Sequence, residues 1–167
     1  MGYIRNVRTS CRFAVAVHVL AVLAYKENQP VTSTLLAYSV NTNPVMIRRL
    51  LLLLQAADFV ETRKGAGSGS RLCRTPERIS LAESYQAVET EKRCASHSRR
   101  PNQACPVGHC IQAELEKVFA AADRALQREL GRTSLADILK AVKECSRSTK
   151  GRLNRVKELG HEKPGSA

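Results

Sequence analysis

The stretch CASHSRRPNQACPVGHC, running from Cys94 to Cys110, places three cysteines and two histidines within seventeen residues. Residue types of this kind support three chemistries. Cys94, Cys105 and Cys110, with His97 or His109, could ligate an iron–sulfur cluster, which needs converging thiolates. Their spacing, ten and then four intervening residues, is not a standard one for that purpose. A mononuclear zinc site is weaker still, because no Cys-x-x-Cys pair occurs. The third chemistry is a thiol sensor centred on Cys105. It precedes Pro106 and a helical pattern, and a helix N-terminus lowers a thiol pKa. Against all three stands an inert, partly buried cysteine that packs the loop onto the helix. Cys11, Cys73 and Cys145 are scattered and receive no role.

The surrounding chain narrows these choices. Its 167 residues suit one domain with an extension. No apolar run is long enough to cross a bilayer, and the polar start MGYIRNVRTS lacks the layout of a secretory signal. The expected compartment is cytoplasmic, where six cysteines stay reduced and do not form a disulfide framework. Lys and Arg number 27 against 15 Asp and Glu, a net charge of +12 that points to a polyanion partner. Residues 1–80 carry 11 basic against 4 acidic side chains, so the polyanion site is expected there. Seven aromatic residues and no Trp argue against single-strand recognition by base stacking.

Hydrophobic spacing supplies the elements that must position these residues. Residues 9–27 read as a helix capped by Thr9 or Ser10, with Phe13, Val17, Leu20 and Ala24 inward and His18 as a hydrogen-bonded core histidine. Thr32 caps a short helix holding Leu35, Leu36 and Ala37. Val40-Asn41-Thr42-Asn43 breaks it, and Pro44 starts a helix to about Ala56 with Ile47, Leu50, Leu51 and Leu54 on its apolar face. This is helix-turn-helix spacing, or else an ordinary helical hairpin. An extended run from Phe59 to Arg63, a glycine-rich tip and a second run to Arg74 form a basic β-hairpin wing. The glycines lack the Gly-Lys-Ser/Thr ending of a phosphate loop. Ser80 and Glu83 form a capping box, and residues 91–106 a loop. A long helix follows to Gly131, with Ile111, Leu115, Val118, Phe119, Ala122, Leu126 and Leu130 in one stripe. Outside a compact winged domain such a stripe needs a partner, either its twin in a homodimer or its own domain. Thr133 or Ser134 caps a last short helix, and a basic tail from Ser146 to Ala167 is expected to be disordered.

These segments together resemble the Rrf-two-type transcriptional regulators, small bacterial winged-helix repressors, and within them a YwnA-like branch. The matching stretches are RFAVAVHVLAVLA, SVNTNPVMIRRLL, the Arg-Lys-Gly wing start, ISLAESYQAVE and PNQACPVGHCIQAELEKVFAAADRALQRELGRTSLADIL, together spanning about residues 8–142. The resemblance implies a homodimer with crossing long helices on an inverted-repeat operator. Cluster-binding relatives carry three cysteines before the long helix, in a more compact first interval than Cys94–Cys105. In the YwnA-like branch only the cysteine of CPVG, here Cys105, is typical.

The expected fold is mainly α with a small β-hairpin. A winged helix-turn-helix domain spans 1–90 and a sensor-type loop 91–106. The dimerisation and C-terminal helices occupy 107–145, and the basic tail 146–167. The expected partner is double-stranded DNA. The helix beginning at Pro44 enters the major groove N-terminus first, and Thr32, Ser33, Thr42, Asn43, Pro44, Val45, Arg48 and Arg49 line the contact. Arg48 or Arg49 could read guanine and Asn43 adenine, or the arginines could clamp phosphate. Arg63, Lys64, Gly65 and Arg71 place the wing against the duplex, Arg63 and Lys64 in the minor groove. The wing lacks the aromatic residue common in the family, having Ser70 and Arg71 instead. Ile111, Leu115, Val118, Phe119, Ala122 and Leu126 are the expected dimer interface. No cofactor or metal is expected, an iron–sulfur cluster on Cys94, Cys105 and Cys110 being the alternative. Four dispersed histidines and no nucleophile motif exclude an evident enzyme. A winged protein-interaction module without DNA is a further alternative.

Overall fold

A computed structural model of the chain describes residues 11–27, 29–63, 65, 67–89 and 97–159, with side chains described to residue 148. Its elements are α1 (Arg12–Tyr25), α2 (Ser33–Val40), α3 (Pro44–Ala56), β1 (Val60–Arg63), β2 (Gly69–Leu72), α4 (Leu81–Val88), α5 (Pro106–Gly131) and α6 (Leu135–Leu159), with a single 3-10 turn at Pro76–Arg78. No helix among the described residues is long and apolar enough to cross a membrane.

Helix α1 departs from the expectation in three ways. Cys11 is its N-cap and makes no side-chain capping bond; Thr9 and Ser10 lie outside the described residues. Its buried face is Ala16, Val19, Leu20 and Leu23, not the line through Phe13, Val17 and Ala24. His18 is exposed, with Nε2 3.1 Å from the Ser39 hydroxyl, so it is a surface histidine rather than a core one. The physical reason is common to the last two. Between Phe13 and Ala24 every residue but His18 is apolar, so spacing singles out no face. Packing against α2, α4, α6 and β2 selects it instead.

The next two helices follow their local signals. The Thr32 hydroxyl accepts the Leu35 amide at 3.2 Å and starts α2. Asn41 adopts left-handed backbone (φ 58°) and ends it, with the Thr42 amide donating to the Ala37 carbonyl at 2.9 Å. The Asn43 side chain then accepts the Met46 amide at 2.9 Å, and Pro44 opens α3. Ile47, Leu50, Leu51 and Leu54 are buried, as their spacing predicts. Each stabilises the fold by about 1.5–3 kcal/mol through removal from water, which fixes the rotation of α3 and turns its arginines outward. Leu36 and Ala37 join the core, whereas Leu35 stays exposed.

The hairpin pairs Val60 with Leu72, Glu61 with Arg71, Thr62 with Ser70 and Arg63 with Gly69. Val31 adds a one-residue third strand, exchanging hydrogen bonds of 2.9 and 2.8 Å with Ser70. Only glycine fits at Gly69, because a Cβ there would come 2.8 Å from the Val31 nitrogen.

The segments that lead into α4 and α6 pair with each other. Ser80 and Ser134 face each other in an antiparallel bridge. The Leu81 amide donates to Thr133 at 3.0 Å and the Leu135 amide to Ile79 at 2.8 Å. Ser80 and Glu83 form the expected capping box, and Ser134 with Asp137 forms its aspartate counterpart. Leu135 and Leu139 are buried, so α6, grouped by sequence with α5, completes the winged core. Helix α6 also continues to Leu159, where a short helix and a disordered tail from Ser146 were expected. The segment is rich in Lys, Arg and Leu, and extending an existing helix avoids the nucleation cost. Helix α5 ends at Gly131, but Arg132 beyond it is right-handed, so no left-handed glycine stop is used.

Candidate nucleic-acid interface

The start of α3 lies on the surface beside the turn at Asn41–Asn43. The Asn43 side chain caps the Met46 amide there, and the aligned peptide dipoles of a helix N-terminus favour an approaching anion. Val45 is half-exposed, and Arg48 and Arg49 are both on the surface. The two arginines are not equivalent. Arg48 Nε donates to the Ser33 hydroxyl at 3.3 Å, tying α3 to the first turn of α2. Arg49 makes no bond to any described residue. Asn43 is committed in part, since its side-chain oxygen caps α3. Two-point adenine recognition needs that oxygen as well as the amide nitrogen, so an Asn43 reading adenine would share the oxygen between the α3 cap and the base. Thr32 is likewise occupied as the cap of α2. The turn therefore brings Thr32, Ser33, Thr42, Asn43, Pro44, Val45, Arg48 and Arg49 to one region, with the caps holding it and the Arg49 side chain without a partner among the described residues.

The wing follows directly, since β1 packs against α3. Arg63 ends β1 with its side chain 65% exposed, and Gly65 (φ 91°) is at the tip. Lys64 lies outside the described residues. Arg71 on β2 forms a close ion pair with Glu61, and Arg63 Nη2 stands 3.9 Å from the same carboxylate oxygen. Sequence reading missed Glu61. The signal was present: counting back evenly from the glycine tip pairs Arg63 with Gly69 and hence Glu61 with Arg71. Arg74, expected to flank the wing, is instead held inward. It stacks on Phe59 at 5.0 Å, reaches the Ala57 carbonyl at 3.4 Å and lies 3.6 Å from Glu83.

The cysteine loop meets the long helix through a compact turn. Cys105 is the N-cap of α5, exposed, with its side chain making no capping bond, and Pro106 opens the helix. The Cys105 amide donates to the Asn102 carbonyl at 3.2 Å, and the Asn102 side chain accepts the Ala104 amide at 3.0 Å. A Cβ on Gly108 would collide with that carbonyl, so the turn requires glycine there. Cys110 is exposed five residues further on, which at 3.6 residues per turn is a different face of the helix. Cys94 lies outside the described residues. Among the described residues no three ligating side chains gather around a metal-sized site. Cys105 and Cys110 thus stand apart from any such group of described side chains. At Cys73, desolvation first, then the nearby Glu61 and Asp58 carboxylates, push the thiol pKa up.

Helix α5 carries its stripe in the open. None of its residues is buried; Ile111, Leu115, Phe119 and Leu126 are half-covered, and Val118 and Ala122 are exposed. It runs about 39 Å at 1.5 Å per residue and packs mainly on α4.

Known proteins match this arrangement. A model of the Rrf2 family, described as "Iron-dependent Transcriptional regulator", matches residues 9–141. The chain is 40% identical to YwnA of Bacillus subtilis (strain 168), a protein provisionally named an HTH-type transcriptional regulator, over 128 residues, 77% of this chain and 94% of that one. T. potens IscR superposes with a TM-score of 0.62 at 20% identity, covering 84% of this chain and 91% of that one. CymR, the global cysteine regulator of B. subtilis, superposes with a TM-score of 0.60 at 18% identity, covering 81% and 98%. At these last two identities the likeness is one of fold alone.

Proposed function

The chain belongs to the Rrf2 family of transcriptional regulators, and from that premise we propose that it represses transcription as a homodimer, each protomer laying α3 into the major groove of one half of an inverted-repeat DNA operator. The observation that carries this reading is the exposed Arg49, whose side chain has no partner among the described residues, beside the N-terminal turn of α3. That position is where winged and helix-turn-helix proteins touch base edges. Phosphate contacts from Ser33, Thr42 and the wing would position the duplex and α3 would read it.

Two apolar surfaces support the dimer. One is the uncovered stripe of α5. The other is a groove of about 660 Å³ between α1, α2 and α6, floored by Val17, Ala21, Leu139 and Val142. Apolar side chains left uncovered in this way fit burial against a second copy. Signal input belongs at Cys105. Its exposure at the head of α5 makes it reachable by oxidants, and it sits within the close Asn102–Gly108 turn that starts the helix. A shift there would change how the α5 helices cross and so the separation of the two α3 helices.

Titrating duplex DNA into the protein over a range of KCl tests the function. Affinity should fall steeply with salt, since several Lys and Arg neutralise phosphates. A flat salt dependence would remove the DNA reading in favour of a protein-interaction module.

A further inference from the structure

The wing of a DNA-binding protein is expected to offer free cations, yet here one carboxylate is set against two of them. Strand register sets Glu61 directly across from Arg71, and side chains two apart on one strand share a face, which brings Arg63 to the same carboxylate. Both arginines therefore converge on one oxygen, Arg71 in a close pair and Arg63 at 3.9 Å. All three side chains remain in contact with water, at 40% exposure for Glu61, 35% for Arg71 and 65% for Arg63. Ion pairs of this kind are weak and exchange readily. A phosphate can displace the carboxylate, but only in competition with it.

We propose that Glu61 is a specificity-determining residue that holds Arg63 and Arg71 back from arbitrary duplex and releases them once α3 is seated on its operator. The inference rests on the DNA-binding reading above. Binding to arbitrary sequence is almost wholly phosphate neutralisation, so a carboxylate in the wing subtracts from it in full. On the operator, base contacts by α3 keep the wing against the backbone, and the neighbouring phosphates outcompete Glu61. The carboxylate thus costs more affinity at wrong sites than at the right one.

The test is Glu61→Gln in the full chain, titrated by fluorescence anisotropy at several KCl concentrations. Two duplexes are used: one of random sequence, and one selected from a random pool by the parent protein. Affinity for the random duplex should rise roughly five- to ten-fold, and its salt slope should steepen by about one. Affinity for the selected duplex should rise less, so that discrimination falls. An equal rise on both duplexes, no change, or weaker binding with a lowered melting temperature would each overturn the proposal. In an Arg63→Gln, Arg71→Gln background the Glu61→Gln gain should vanish; a gain of the same size there would show diffuse charge rather than these two arginines, and would also overturn it. If the parent binds neither duplex in a salt-dependent way, the DNA reading falls and this inference with it.

Discussion

Arg48 donates to the Ser33 hydroxyl at 3.3 Å, whereas Arg49, its neighbour in sequence, is bonded to nothing among the described residues. One turn of helix explains the split. Successive residues on α3 point about 100° apart, so Arg48 faces α2 and Arg49 faces away. The first braces the helix-turn-helix and the second is available to a partner.

Arg49→Ala should therefore weaken operator binding by about 1–3 kcal/mol, the range for a two-point base contact, with the melting temperature unchanged. Arg48→Ala should lower both, the stability by about 0.5–1.5 kcal/mol for a lost hydrogen bond. Gel-shift titration at fixed salt beside thermal melts separates them. Equal affinity for Arg49→Ala and the parent would take Arg49 out of the site.

The α4 capping box makes a stability prediction that depends on pH. The Ser80 hydroxyl and amide hold the Glu83 carboxyl below its ordinary value of 4.5, with a smaller contribution from Arg74. Because the folded value is depressed, the box stabilises the fold fully above the ordinary value, and that contribution is lost as pH falls through the folded one. Ser80→Ala should cost about 1 kcal/mol near neutral pH. It should also flatten part of the acid limb in urea titrations. Asp137, lowered in the same way by Ser134, keeps the remaining acid dependence.

Val118 is 61% exposed on α5, with no role in the protomer's own core. Val118→Asp should leave helix content and melting of the protomer intact while a dimer falls to monomer, because two charges would be buried at the twofold contact. Light scattering reads the mass. Loss of folded signal without a change of mass would place Val118 in the protomer core instead.

Cys105→Ser should bind the operator like the parent in reductant and keep that affinity after hydrogen peroxide, while the parent loses it. In the same treatment Cys73 should be labelled more slowly by iodoacetamide, since its thiol is held protonated by burial and by Glu61 and Asp58. Identical release of DNA by parent and Cys105→Ser would locate the switch elsewhere. Visible absorbance of protein purified without oxygen checks the cluster alternative: sulfide-linked bands would put iron at Cys94, Cys105 and Cys110 and set the thiol sensor aside.

Much of this molecule is written in local signals. Thr32, Asn43–Pro44 and Ser80–Glu83 each start a helix through bonds made within three residues, so the chain itself carries the information. The polar interruptions in α3 select its buried face, because only Ile47, Leu50, Leu51 and Leu54 keep helical spacing. Gly65 and Gly67 mark the hairpin tip in the same way.

Other features depend on what a segment meets. In α1 nearly all residues are apolar, so its inward face, and with it the exposure of His18, was settled by the elements that pack on it. Helix α6 joins the winged core through the Ser80–Ser134 bridge, a contact between residues far apart in the chain. Glu61 reads as one acid in a basic stretch until strand register sets it against Arg71 and within reach of Arg63. Sequence alone thus determined where α2, α3 and α4 start, which face of α3 is buried and where the hairpin turns, since those rest on short-range bonds and periodicity. Tertiary structure alone decided which arginine is free, which are held and which face of α1 is inside, because those depend on charges and surfaces brought together across the fold.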